Sequence, residues 1–345
     1  MALFNFKKEK PQTQEQATEG RDCEVGKTRY EQWNDDELTA MKGLNIYRKM
    51  LRDPQVKAAF NLLIDFIVNR DISFKIDDIK DKRQHQIKDF FEYTINTALK
   101  GTFKQTLKTI LQAKAYKFSI SEKNYKVVKW EGRDVWTIDS IKGKDISTIS
   151  VIRDNYGNVY KLIQDQCGIS KVLNVKKFIY YINKPEIDPV WGESDLRAVY
   201  RPYFEKDISI KYYTIFLERS ASGFLAVTKD ELSSLTKEEA DNLNLALSRI
   251  NGRSAINLPS GHTLEMIHPP SSSAFDTAMI WFDKQIAKGL MIPNLLGFSE
   301  QGSVGSNAQA ETQLATFFNV INSEAELLAD ALNEQLFREL AMWNF

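Results

Sequence analysis

The sequence predicts an α+β fold, and three observations carry that prediction. Helical periodicity fills the stretch up to about residue 114, a period of two takes over from Phe118 to Ile182, and helix-forming segments return after Gly192. At 345 residues the chain is long enough for two or more domains and a sizeable core.

Residues 1–25 are polar and rich in Lys, Glu, Gln and Thr, the composition of a mobile arm, and Lys7, Lys8 and Lys10 in it read as solvated charges. A helix is expected over 35–51. Asp53 and Pro54 then cap a periodic segment, 55–69, with Val56, Phe60, Leu63, Ile64 and Ile67 along one side. Residues 72–76 alternate as a strand does, and amphipathic helices are expected over 82–98 and 102–114. Strands are read at 118–123, 126–130, 135–138, 149–153, 159–163 and 178–182, with Asp154 to Gly157 as a turn joining two of them. The expected result is an antiparallel meander packed on the preceding helices.

Ser194 is placed to cap a long helix over 195–219, whose apolar positions Val199, Phe204, Ile208, Tyr212, Ile215 and Phe216 spread over a broad sector. A small module follows, with strands at 224–227, 255–258 and 263–267 and a helix over 237–250 capped by Thr236, with Glu238 and Glu239 in its first turn. Pro269 and Pro270 end it. A second long helix covers 274–291 and stops before Pro293. Gly297, Gly302 and Gly305 among serines make 294–307 a flexible loop, and Ala-, Leu- and Glu-rich residues 308–342 form a last helix.

Charge is balanced, 46 Lys and Arg against 46 Asp and Glu, which argues against a general phosphate-neutralising surface but is neutral towards a conduit that DNA slides past. The two cysteines, Cys23 and Cys167, lie far apart in unlike contexts and suggest neither a disulfide framework nor a thiolate metal site. No apolar run approaches membrane-spanning length, and the start Met1 to Lys8 puts its charges after its apolar residues, so an intracellular, soluble protein is expected.

Gly20 to Thr28 resembles a phosphate-binding loop but has five residues between Gly20 and Gly26, where the motif has four, and no buried strand precedes it. Coincidence is the preferred reading. Gly302, Ser303 and Gly305 before a helix could offer backbone N–H groups to an anion, though the better reading is a loop that DNA phosphates meet in passing. His85, His262 and His268 form no catalytic cluster, and surface positions are their default reading. No catalytic constellation, cofactor site or metal site is expected, and the chain is not read as an enzyme.

Several stretches resemble the portal proteins of tailed bacteriophages, the Mu-like portal family above all. They are Asp53 to Val56 with the helix and strand after it, Ala115 to Glu122, and Lys177 to Tyr181 with Pro189 to Leu196. Residues Ile286 to Met291, Gly302 to Ala310, and the long helix to Phe345 complete the likeness, which covers about 35–345. Order of parts carries more weight than any single motif.

The resemblance implies a portal-type fold with an α/β wing, a long-helix stem hairpin and a small α/β clip. It implies a flexible arm over 1–25, a wing over 26–190 and 308–345, stem helices over 191–219 and 271–293, a clip over 220–270 and a tunnel loop over 294–307. Ser299, Gln301, Ser303, Ser306 and Asn307 become candidates for the DNA tunnel, and Lys229, Arg249 and Arg253 for clip contacts, with a solvated role weighed beside each. Tyr212, Phe216, Trp281 and Phe282 become candidates for stem packing, since a ring needs two unlike surfaces on every subunit and so more than one apolar stripe.

The implied function is structural: a homo-oligomeric ring, usually a dodecamer, at the capsid vertex of the virion, assembled in the host cytoplasm. The implied partners are double-stranded DNA, the terminase large subunit, major capsid protein or scaffold, and head-completion or tail adaptor proteins, with no membrane. Another ring-forming head–tail adaptor, or a nucleotide-binding enzyme using Gly26, Lys27 and Thr28, stays open as an alternative. Family members usually continue beyond the equivalent of Asn344 and Phe345 into further wing and often a helical crown, and whether this chain is truncated or lacks a crown is left open.

Overall fold

A computed structural model describes residues 38, 42–76, 80–154, 158–166, 168–186, 190–222, 224–229, 236–248, 262–267, 273–293 and 307–345. The chain divides into two compact units. One comprises Met1–Tyr200 with Ile286–Phe345, the other Arg201–Gln285. Helix and sheet are both present throughout, as an α+β fold requires. No helix among the described residues is long and apolar enough to cross a membrane.

In the first unit, α1 (Asn45–Met50) leads to α2 (Pro54–Val68). Asp53 caps α2 by accepting from the N–H groups of Gln55 and Val56 at 2.9 and 3.0 Å, and Pro54 fills the first helical position, where its missing N–H costs nothing. Val56, Phe60, Leu63, Ile64 and Ile67 are all buried, as their spacing predicts. Helix α3 (Lys82–Tyr93) runs into a π turn, Thr94–Ala98, that buries the Thr94 hydroxyl against that of Thr137 at 3.1 Å. Thr102 caps α4 (Phe103–Ile110), and the short α5 (Ala113–Tyr116) follows.

Residues 72–76 form no strand. They have no ladder partner among the described residues and are anchored by Phe74, whose ring meets those of Phe91 and Phe337 at 5.3 and 5.0 Å. A single anchoring side chain replaces the hydrogen-bonded row that alternation alone suggested.

The expected single meander is two sheets. In the first, β2 (Arg133–Gly143) and β6 (Phe178–Ile182) flank β1 (Phe118–Trp130), all antiparallel. The two strands expected over 118–130 are one, because the interruption at Asn124 and Tyr125 is a register shift that bends the strand without ending it. The second sheet has the order β3 (Ile149–Arg153), β4 (Val159–Gln166), β5 (Ile169–Leu173). The pattern missed β5, whose Ile-Ser-Lys-Val-Leu run is mostly exposed and so does not alternate. Between β3 and β4, Asp154 closes the connection by accepting from the Asn158 N–H at 2.9 Å.

Helix α6 (Leu196–Ser222) has 27 residues, about 40 Å at the usual rise. Pro202 lies inside it and removes one intrahelical hydrogen bond, which lowers the cost of bending there. From Arg201 onward it belongs to the second unit, with β7 (Phe224–Lys229), α7 (Lys237–Ser248), β8 (His262–Ile267) and the greater part of α8 (Ser273–Gly289). Strands β7 and β8 pair antiparallel, from Phe224 opposite Ile267 to Lys229 opposite His262. Thr236 and Glu239 cap α7 reciprocally: the Thr236 N–H donates to the Glu239 carboxylate at 2.9 Å, and the Glu239 N–H to the Thr236 hydroxyl at 3.4 Å. The strand expected over 255–258 lies outside the described residues.

The last helical stretch, α9 (Asn307–Leu332), passes through a π turn, Asn333–Phe337, into α10 (Arg338–Asn344). Phe317 and Phe318 of α9 pack edge-on against Phe66 of α2 at 5.3 and 6.0 Å.

Candidate assembly surface and its buried root

Within the second unit α6 and α8 lie antiparallel. The Lys206 ammonium meets the Asp283 carboxylate at 2.7 Å, and the rings of Tyr213 and Phe216 meet Phe275 at 5.4 and 5.5 Å. Residue numbers that rise on one helix as they fall on the other define a hairpin with the β7–α7–β8 module at its turn.

The hairpin does not bury all its apolar residues. At about 100° per residue, Phe204 and Ile215 fall within about 20° of each other, on the side of α6 opposite Lys206 and Tyr213. Both are 44% exposed, and Tyr212 beside them is 63% exposed. Ile210 and Leu217 form a second exposed stripe on another flank. On α8, Trp281 is 53% exposed while its neighbour Phe282 is buried, their rings 5.2 Å apart. Large side chains are thus left in water on more than one flank of the hairpin.

Of the four stem-packing candidates, Phe216 packs within the hairpin and Phe282 is buried, whereas Tyr212 and Trp281 face solvent in the single chain. Lys229 ends β7 opposite His262. Arg249, Arg253, Ser299, Gln301, Ser303 and Ser306 lie outside the described residues, and Asn307 opens α9. The Gly20 to Thr28 segment, the arm lysines, Cys23, Cys167 and His268 also lie outside them.

In the first unit, the start of α6 is fastened by a buried charge network that sequence reasoning missed. The Ser194 hydroxyl accepts from the Leu196 N–H at 3.1 Å, as its capping position predicts, and donates to the Ala115 carbonyl at 2.5 Å. The Lys114 ammonium, 1% exposed, reaches the carboxylates of Asp195 at 3.0 Å and Glu324 at 2.9 Å and the Asn183 side-chain oxygen at 3.3 Å. Asp195 also binds Lys184 at 3.0 Å and accepts from the Asn183 amide at 3.0 Å. Burial pulls the Lys114 ammonium towards neutrality, but Asp195 and Glu324 outweigh it and hold the group above its ordinary range. Burial likewise works against the Asp195 carboxylate, yet Lys114 and Lys184 keep it below the usual range. Burial, with Glu324 and Asp195 behind it, pushes the nearby Tyr181 hydroxyl upward.

Backbone fit tightens the same place. Gly192 has φ +64, and a Cβ there would sit 2.1 Å from the Asn183 carbonyl. A Cβ on Gly289 would come 2.9 Å from a Val199 methyl, so the last turn of α8 and the first turn of α6 meet at glycine distance.

A separate apolar surface lies on the β1–β2 hairpin, where Tyr125, Trp136 and Trp343 line a pocket of about 420 Å³. Asn344 fixes it, accepting from the Trp136 N–H at 2.7 Å and donating to its carbonyl at 2.8 Å.

A family model described as the portal protein of Mu bacteriophage matches residues 44–345. No curated protein matches the chain. Among solved structures, a chain from the neck of a native gene transfer agent particle, computed with C12 symmetry, is similar over 87% of this chain and 80% of its own, with 13% identity and a TM-score of 0.59. A chain from the virion of a native gene transfer agent particle is similar over 88% of this chain and 82% of its own, with 13% identity and a TM-score of 0.57. At such identities the likeness speaks to fold.

Proposed function

The chain belongs to the portal protein family of Mu bacteriophage, and on that premise we propose that it is the ring-forming subunit of a capsid portal vertex, a channel through which duplex DNA is packaged and ejected. Its role is structural, with no chemistry of its own. The observation that carries this reading beyond family membership is the α6–α8 hairpin, paired inside the chain yet leaving Phe204, Tyr212, Ile215 and Trp281 in solvent. A closed ring of identical subunits joins two unlike faces of each, and such a hairpin supplies them.

In this reading residues 191–219 and 271–293 are the stem, 220–270 the clip, and 26–190 with 308–345 the wing. Residues 294–307 are the tunnel loop, where Ser299, Gln301, Ser303, Ser306 and Asn307 meet passing DNA. Lys229, Arg249 and Arg253 serve clip contacts. The C12 symmetry used for the similar neck chain supports a ring of twelve. The clip docks the terminase large subunit during packaging and head-completion or tail adaptor proteins afterwards, while the wing meets major capsid protein or scaffold. The subunit assembles in the host cytoplasm and ends in the virion.

Electron microscopy of the purified protein, alone and co-expressed with capsid protein, tests the reading. Rings with a central channel viewed down the axis are the expected result. Monomers under every assembly condition overturn it.

A further inference from the structure

We infer that Lys114 is a positioning residue that couples the first turn of α6 to α9 through one shared buried ammonium. Its three N–H donors have three acceptors: a carboxylate beside the start of α6 (Asp195), a carboxylate in the middle of α9 (Glu324), and the Asn183 side-chain oxygen. Lys184, Asp195, Lys114 and Glu324 thus form an alternating chain of two cations and two anions that sums to zero. Moving either helix away takes a carboxylate from an ammonium that is 1% exposed, and an under-compensated buried charge is far costlier than a broken surface pair.

The two ends of this chain are held differently. On the α6 side the backbone joins in: the Asp195 N–H donates to the Lys114 carbonyl at 2.8 Å, Ser194 binds Ala115, and the Glu193 N–H donates to the Asn183 carbonyl at 3.0 Å. Gly192 leaves that segment no room to shift. On the α9 side the link to Lys114 is a side-chain pair, Glu324. The α6 root is therefore the fixed member and α9 the member whose position the ammonium reads. This coupling goes beyond the portal reading and does not require it, since every group involved lies in one unit of one chain.

Hydrogen exchange of the full chain, in whatever oligomeric state it purifies, tests the inference. Glu324→Gln and Asp195→Asn keep side-chain shape and remove one charge each. Coupling predicts that Glu324→Gln raises exchange about fivefold or more across 196–200, and that Asp195→Asn does the same across 316–328, each on the helix it does not touch. Lys114→Met raises both, and Lys123→Met, at a separate buried pair, raises neither. If each carboxamide variant disturbs only its own helix, or the double variant is merely additive in melting temperature, the coupling is wrong. Should Lys114→Met fail to fold, the two carboxamide variants still decide.

Discussion

Helix α6 has a root and a rod, and the two are built on opposite terms. At the root Leu196 and Val199 are fully buried, and the cap and charges around them are satisfied inside the chain. Along the rod from Phe204 to Leu217, half-exposed apolar side chains alternate with solvated ion pairs such as Lys211 with Asp207 at 2.7 Å. The root contributes its stability to the folded monomer. In the proposed ring, the rod's exposed apolar side chains would gain burial when a neighbouring subunit covers them. On that proposal, one continuous helix serves folding at one end and assembly at the other.

Substitutions at the two ends should part company. Lys114→Met removes the ammonium that Asp195 and Glu324 share, leaving buried Asp195 to Lys184, and should destabilise the chain by about 3–5 kcal/mol in denaturant unfolding. A loss under about 1 kcal/mol would mean that charge does not fasten the root. Phe275→Ala, on α8 facing the inward side of the rod, removes the ring that meets both Tyr213 and Phe216 and should cost about 1–2 kcal/mol by the same measurement.

Acid should weaken the root. Because Asp195 is held below its unfolded value of about 3.9, its contribution is present above that pH and lost as pH falls through the lower folded value. Its neighbours are Lys114, Lys184, Glu324, Tyr181 and Asn183. Asp195→Asn should therefore give a shallower decline of stability between about pH 5 and pH 2. Some slope remains from Glu122 and Asp139, which hydrogen bonds from Lys144 and Lys100 hold low. An unchanged slope would remove Asp195 from the account.

Tyr212→Arg and Trp281→Arg make the smallest change to the monomer. Each should leave its stability within about 0.5 kcal/mol while reducing the ring population in native mass spectrometry. Rings at wild-type abundance in both variants would end the claim that the rod's outer face is an assembly surface.

Caps were the most legible part of the sequence. Asp53 with Pro54, Ser194, and Thr236 with Glu239 each act where their spacing put them, because a cap is decided by neighbours along the chain. Sheet partnership is decided by distant residues and was read less well. Nothing local says that Phe178 to Ile182 returns to β1 while 149–173 forms a sheet of its own. The root was invisible for the same reason: Lys114 sits between two small buried alanines, a faint hint of burial, but its partners lie 81 and 210 positions away. Tyr212 and Trp281 were legible as large aromatic residues on long helices, though not which flank each would face.

Electrolyte draws the same line through the molecule. Mobile ions weaken attractions between groups that water surrounds, and Arg201 with Glu205 or Lys211 with Asp207 will fade in concentrated brine. The quartet around Lys114 sums to zero charge, and its two central members, Lys114 and Asp195, are 2% and 10% exposed at the side chain, so mobile ions screen it less than a surface pair. High ionic strength should thus loosen the periphery more than the anchorage.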